Sequence, residues 1–134
     1  MHFPRTAFAL LCGLFLQAGD LSPEQTAKVL KGIANGCGEF QITCKEPALK
    51  AALSALGISV EDGSAMVWCT TAAETKAQLH LGRLVVVGHR DLSSSACVVV
   101  EEEGGRPKIL LNTANLRNCK VKLGDALMKI GEKF

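Results

Sequence analysis

Residues 65–88, AMVWCTTAAETKAQLHLGRLVVVG, decide the fold. Residues 65–69 form an uninterrupted apolar run of strand length and residues 84–87 form another, as expected of strands covered on both faces. Between them Thr71 and Glu74 have the spacing of a capping box, and the helix they open runs to about His80. Gly88 closes the second run. Strand, helix and strand in so short a span make a crossover unit, which sets the two strands parallel.

The same pattern extends upstream. Ser22, Pro23 and Gln25 supply an N-cap hydroxyl, a proline at N1 and a capping-box glutamine. Ala27, Leu30 and Ala34 then repeat on one helical face beside Val29 and Ile33, with Gly36 as the expected stop. Residues 39–44, EFQITC, alternate and read as a first strand. Pro47 opens a second helix carrying Leu49, Ala52, Leu53 and Leu56 on one face, stopped by Gly57, and Asp62-Gly63 turns into residue 65.

Downstream the pattern changes. Residues 96–100 and 109–111 flank EEEGGRPK, in which Gly104-Gly105 supplies the positive φ angles of a hairpin turn. Pro107 cannot donate to a ladder, so the second hairpin strand is expected to start after it or to lie at the sheet edge. Leu123, Ala126, Leu127 and Ile130 share one face of a short closing helix. The expectation is one α/β domain: a mixed sheet of three parallel strands plus a C-terminal β-hairpin, flanked by helices.

Residues 1–20, MHFPRTAFALLCGLFLQAGD, have the layout of a secretory signal peptide: Arg5, an apolar run over 7–16, then Ala18 and Gly19. The run is too short to span a bilayer. This divides the 134 residues into a signal peptide, 1–19, and a single domain, 20–134, exported to the periplasm. Position −3 to the cleavage, Leu16 or Gln17, is larger than such signals prefer, and Cys12 lies inside the apolar run, where no lipoprotein cysteine sits.

Composition narrows the function classes. Fifteen Lys and Arg stand against 13 Asp and Glu, so the clustered basic excess needed for nucleic acid or an anionic membrane is missing. Five Phe, one Trp and no Tyr argue against aromatic platforms for sugars or bases. No cysteines have the Cys-x2-Cys spacing of a zinc site, and His80 and His89 stand apart from any such cluster, so no metal is expected.

With Cys12 in the signal, five cysteines remain, and in an oxidising compartment they are disulfide candidates with one thiol left over. Cys44 and Cys69 end strands expected to run parallel, at the same sheet edge, and make one expected bridge. Cys97 opens the hairpin and Cys119 follows its second strand, which makes the other. Cys37 stays free or intermolecular, since an extended segment would hold it far from Cys44.

An open parallel sheet has its natural crevice beyond the carboxyl ends of its strands. That edge collects Lys45 and Glu46, Thr70 and Thr71, and His89, Arg90 and Asp91. The last three are the densest polar cluster and the candidate contact for a partner or ligand; the alternative is ordinary polar loop residues. Catalytic readings fail individually. Ser93–Ser95 lack a Gly-x-Ser-x-Gly elbow, and no glycine-rich phosphate loop is present. Glu101, Glu102 and Glu103 read as solvated edge charges. No catalytic residue and no cofactor are expected.

From residue 65 onward the order of elements resembles the YfiR family, periplasmic repressors of a membrane-bound diguanylate cyclase. The stretches that carry the likeness are AMVWCTTAAETKAQL, LVVVGHRDL, CVVVEEEGGRPKILLN and ANLRNCKVKLGDALMKI, with Asn112, Leu116, Val121, Leu123, Leu127 and Ile130 in corresponding places. The chain is shorter than the family pattern and lacks its Trp-Pro pair before the first strand. The resemblance implies a periplasmic, non-catalytic α/β domain that regulates cyclic-di-GMP signalling. Its implied partner is the periplasmic segment of a membrane protein such as a diguanylate cyclase, and it admits a homodimer. Disulfides bearing on stability and redox response are also implied. A periplasmic small-molecule receptor using the strand-end crevice is the alternative function.

Overall fold

The computed structural model describes residues 21–134. The expected signal peptide, its cleavage point and Cys12 lie outside the described residues. Within them, no helix is long and apolar enough to cross a membrane.

The first helix, α1 (Pro23–Cys37), begins as its sequence dictates: the Ser22 hydroxyl accepts the Gln25 N–H, and the Gln25 side chain reaches back to the Ser22 N–H. It runs past Gly36 and stops at Gly38, whose φ of 74° is the left-handed turn that ends a helix. Gly36 is accommodated in the last helical turn, and the Glu39 N–H closes the cap on the Ala34 carbonyl at 2.8 Å. Next come β1 (Gln41–Thr43), α2 (Pro47–Ala55), the short β2 (Ser59–Val60), β3 (Met66–Cys69), α3 (Ala72–His80) and β4 (Leu84–Val87). A 3-10 turn at Arg90–Ser95 leads to β5 (Val98–Glu103) and β6 (Arg106–Leu111). The chain ends in α4 (Thr113–Arg117), α5 (Asp125–Ile130) and β7 (Glu132–Lys133).

The seven strands form one mixed sheet in the order β2-β1-β3-β4-β5-β6-β7. β2, β1, β3, β4 and β5 run parallel, β6 pairs antiparallel with β5, and β7 pairs parallel with β6. The expected three-strand parallel core and hairpin are therefore present, extended by two-residue strands at both edges. Neither edge strand has apolar alternation of its own; each exists because a neighbour offers a free ladder. Glu103 faces Arg106 across Gly104 and Gly105, both at positive φ, as in a two-residue hairpin turn. Pro107 lies inside β6, opposite Glu102, not before it. β7 covers only Leu110 and Leu111, so β6 is still the sheet edge at Pro107, where a missing N–H is tolerated.

Strand alternation sorts the core onto two faces. Ile42, Met66, Leu84, Val86, Val98 and Leu111 face α1 and α2, where Leu30, Ile33, Leu49 and Leu53 are buried. Val67, Val85, Val87, Val99 and Leu110 face the opposite side, covered by Leu79 of α3 and by Leu92. Complete burial of each such aliphatic side chain is worth about 1.5–3 kcal/mol. α5 is less committed to the core than its apolar spacing implies: Leu127 and Met128 pack inward, whereas Ile130 is 73% exposed. Gly131 follows it and starts the return to β7, which leaves Ile130 on the outer side.

Candidate functional site at the strand ends

The first five strands have the order 2-1-3-4-5, which reverses direction between β1 and β3. α2 leaves β1 on one face of the sheet and α3 leaves β3 on the other, so the connections diverge and open a crevice at that boundary. The crevice holds about 250 Å³. Glu46 follows β1, Cys69 ends β3 and Thr70 follows it, and Gly88 and His89 follow β4, while Leu21 and Leu49 form part of its apolar wall.

Trp68, the single tryptophan of the chain, lines it as well. The Trp68 Nε1–H donates to Glu46 Oε1 at 2.6 Å, a charge-assisted bond that fixes the indole and one carboxylate oxygen together. Gly88 makes room for the ring: a Cβ there would sit 2.9 Å from the indole Cη2. Cys69 lines the crevice but is no nucleophile, because burial, assisted by the nearby Glu74 carboxylate, pushes its thiol up to about 12.

The polar residues anticipated at this edge separate into two groups. Glu46, Thr70 and His89 line the crevice. Thr71 caps α3 through the Glu74 N–H at 3.2 Å, and Glu74 Oε1 accepts the Thr70 N–H, one residue earlier than a standard capping box. Lys45 lies 3.9 Å from the other Glu74 oxygen. These residues hold α3 onto the end of β3.

His89, Arg90 and Asp91 do not act as one cluster. His89 faces the crevice, whereas Arg90 turns to β5, its Nε–H and Nη2–H reaching Glu101 Oε1 at 2.8 and 2.7 Å. Asp91 sits in the first turn of the 3-10 segment. Glu101 is correspondingly not a solvated edge charge; it is 3% exposed. β5 is an interior strand, and alternation places Glu101 on the face of Val99, where the Arg90 guanidinium arriving from the β4 end neutralises it. Glu103 remains an edge charge, paired with Lys108 at 3.0 Å.

The five described cysteines are free thiols. The expected Cys44 to Cys69 bridge is overturned by register: Ile42 pairs with Met66 and Thr43 with Val67, which brings Cys44 level with Trp68, not Cys69. Cys44 packs with the α1 and α2 face and Cys69 with the α3 face, so the sheet separates the two sulfurs. Cys97 and Cys119 are also unbridged; both pack in the core beside α1 and α2, and the influence of Cys97 lowers the Cys119 pKa to about 7. Cys37, at the end of α1, lies near enough to Cys119 to feel its charge.

Sequence reasoning missed Trp68 as part of the site. Its signal was a unique tryptophan one residue from the carboxyl end of a buried strand, but an apolar run alone does not say which way the ring leans. Neither the protein-family models, nor the curated proteins, nor the solved structures compared with the chain gave a match.

Proposed function

We propose that this chain is an exported, non-catalytic regulatory protein of the YfiR type, acting by contact with the periplasmic segment of a membrane protein through its strand-end crevice. The observation that carries the reading is the size and lining of that crevice. At about 250 Å³ it falls below the roughly 300–1,000 Å³ of sites that enclose a whole drug-sized ligand, and it suits one anchoring side chain of a partner. An indole beside a carboxylate gives such an anchor an apolar wall and a polar end. The small volume weighs against the small-molecule receptor.

The test is cellular. Deleting the gene is expected to raise cyclic-di-GMP, and the wild-type chain to restore it. Thr70→Arg, which fills the crevice mouth from an exposed position, is expected to be exported and folded yet not to restore it. An unchanged cyclic-di-GMP level on deletion refutes the signalling role; full complementation by Thr70→Arg refutes the crevice as the contact.

A further inference from the structure

Glu46 is the N-cap of α2, yet its side chain makes no capping hydrogen bond. A carboxylate at that position ordinarily accepts a free N–H of the first helical turn. Here it turns instead to the crevice, where Glu46 Oε1 accepts the Trp68 Nε1–H at 2.6 Å. The indole N–H lies in the ring plane, so the carboxylate sits at the edge of the ring and not over its face.

The charge of the crevice is one-sided. Among the described residues Glu46 is the only acidic residue in its lining, and no lysine or arginine lines it. The nearby cations are engaged elsewhere: Lys45 lies 3.9 Å from Glu74, and Arg90 is held by Glu101. Among the described residues no lysine or arginine forms an ion pair with Glu46. Glu46 is exposed, so solvent reaches its carboxylate as long as the crevice is open.

An anchor seated in the crevice takes that solvent away. An apolar anchor would leave the carboxylate covered with one neutral donor, and a desolvated charge without a counter-charge is strongly destabilising. An acidic anchor would add repulsion to the same loss. A cation neutralises the charge it covers, and it meets in tryptophan the aromatic side chain that attracts cations best. Of the two strongly basic side chains, arginine is the more weakly hydrated, and its planar guanidinium pairs with a carboxylate and stacks on an aromatic ring at once.

We propose that the anchor taken by the crevice is an arginine side chain of the partner, its guanidinium paired with Glu46 beside Trp68. This rests on the contact reading above and gives it a chemistry: the partner's contacting surface projects an arginine.

The probe is N-acetyl-L-arginine amide, compared at constant ionic strength with N-acetyl-L-citrulline amide, its uncharged near-isostere. The chain has one tryptophan, so an isotope-labelled sample gives a single indole N–H resonance that reports the site. The arginine amide is expected to shift that resonance saturably and to bind at least about tenfold more tightly than the citrulline amide. Glu46→Gln keeps an acceptor for the indole N–H and removes the charge; it is expected to leave the circular dichroism unchanged and to abolish the difference between the two amides. Thr70→Arg, which brings a guanidinium of its own to the crevice mouth, is expected to block the arginine amide and serves if Glu46→Gln does not fold. Equal binding of the two amides, no saturable shift with the arginine amide, or an undiminished arginine preference in Glu46→Gln overturns the inference. In the cyclic-di-GMP assay Glu46→Gln is expected to fail as Thr70→Arg does. Complementation by Glu46→Gln but not by Thr70→Arg refutes the arginine anchor and leaves the contact reading standing; complementation by both refutes the contact, and the amide titration then judges the arginine preference by itself.

Discussion

Gly88→Ala tests the architecture of the crevice with a single methyl group. The added Cβ would lie 2.9 Å from Trp68 Cη2, closer than carbon atoms tolerate, and 3.3 Å from Cζ2, a tight contact. Two responses are open to the molecule. If the indole stays, the overpacking costs about 1–3 kcal/mol. If it swings away, it gives up the 2.6 Å bond to Glu46, and a hydrogen bond to a charged group is worth about 1.5–3 kcal/mol. Both routes converge on a similar loss, roughly 4–12 °C in Tm for a domain of this size, or a fall of roughly 0.5–1.5 M in the urea midpoint. Because Trp68 is the only tryptophan, its fluorescence reports the ring directly, and the second route adds a change in the native emission maximum. Gly32→Ala is the control. Gly32 lies within α1 with nothing within 4 Å of its would-be Cβ, so alanine there should stabilise by about 0.5–1 kcal/mol. If Gly88→Ala matches wild type in both urea midpoint and emission, the contact between Gly88 and the indole does not shape the crevice.

Three further outcomes follow from particular contacts. Arg90→Ala should lower the urea midpoint more than Asp91→Ala, because it strands the buried Glu101 carboxylate, and Arg90→Ala/Glu101→Gln should recover part of the loss; equal effects of the two single changes would show that the pair contributes nothing. Asn112→Ala removes the cap on the Asn115 N–H and the bond to the Ser93 carbonyl, and should cost about 0.5–2 kcal/mol by urea denaturation, with the loss confined to stability and no change in native Trp68 emission. Alkylation of Cys119 by iodoacetamide should reach half its maximal rate near pH 7 and move toward pH 9 in Cys97→Ala, since the influence of Cys97 is the main cause of the lowered pKa. The sign for stability follows: a thiol depressed in the fold stabilises it fully above its unfolded pKa of about 9, and this contribution is lost as pH falls through about 7. A wild-type alkylation midpoint near 9 refutes that influence.

The sequence by itself determined the elements that rest on local chemistry. Ser22 with Gln25, Pro47, and Gly104-Gly105 each specify a helix start or a turn from a few neighbouring atoms, and the runs MVWC and LVVV are too apolar to sit anywhere but inside a sheet. It also located the edge of the molecule where a crevice forms, because strand polarity places that edge at the carboxyl ends. Tertiary structure alone decided which face each side chain joined. Cys44 and Cys69 looked like a pair because both end strands, yet register set them one residue apart and so on opposite faces. Glu101 looked solvated in a run of three glutamates, but strand order made β5 an interior strand and supplied Arg90 across it. Periodicity is a property of one segment and survives without its neighbours; register, strand order and the partner of a buried charge are properties of two segments at once, set only when distant parts of the chain pack together.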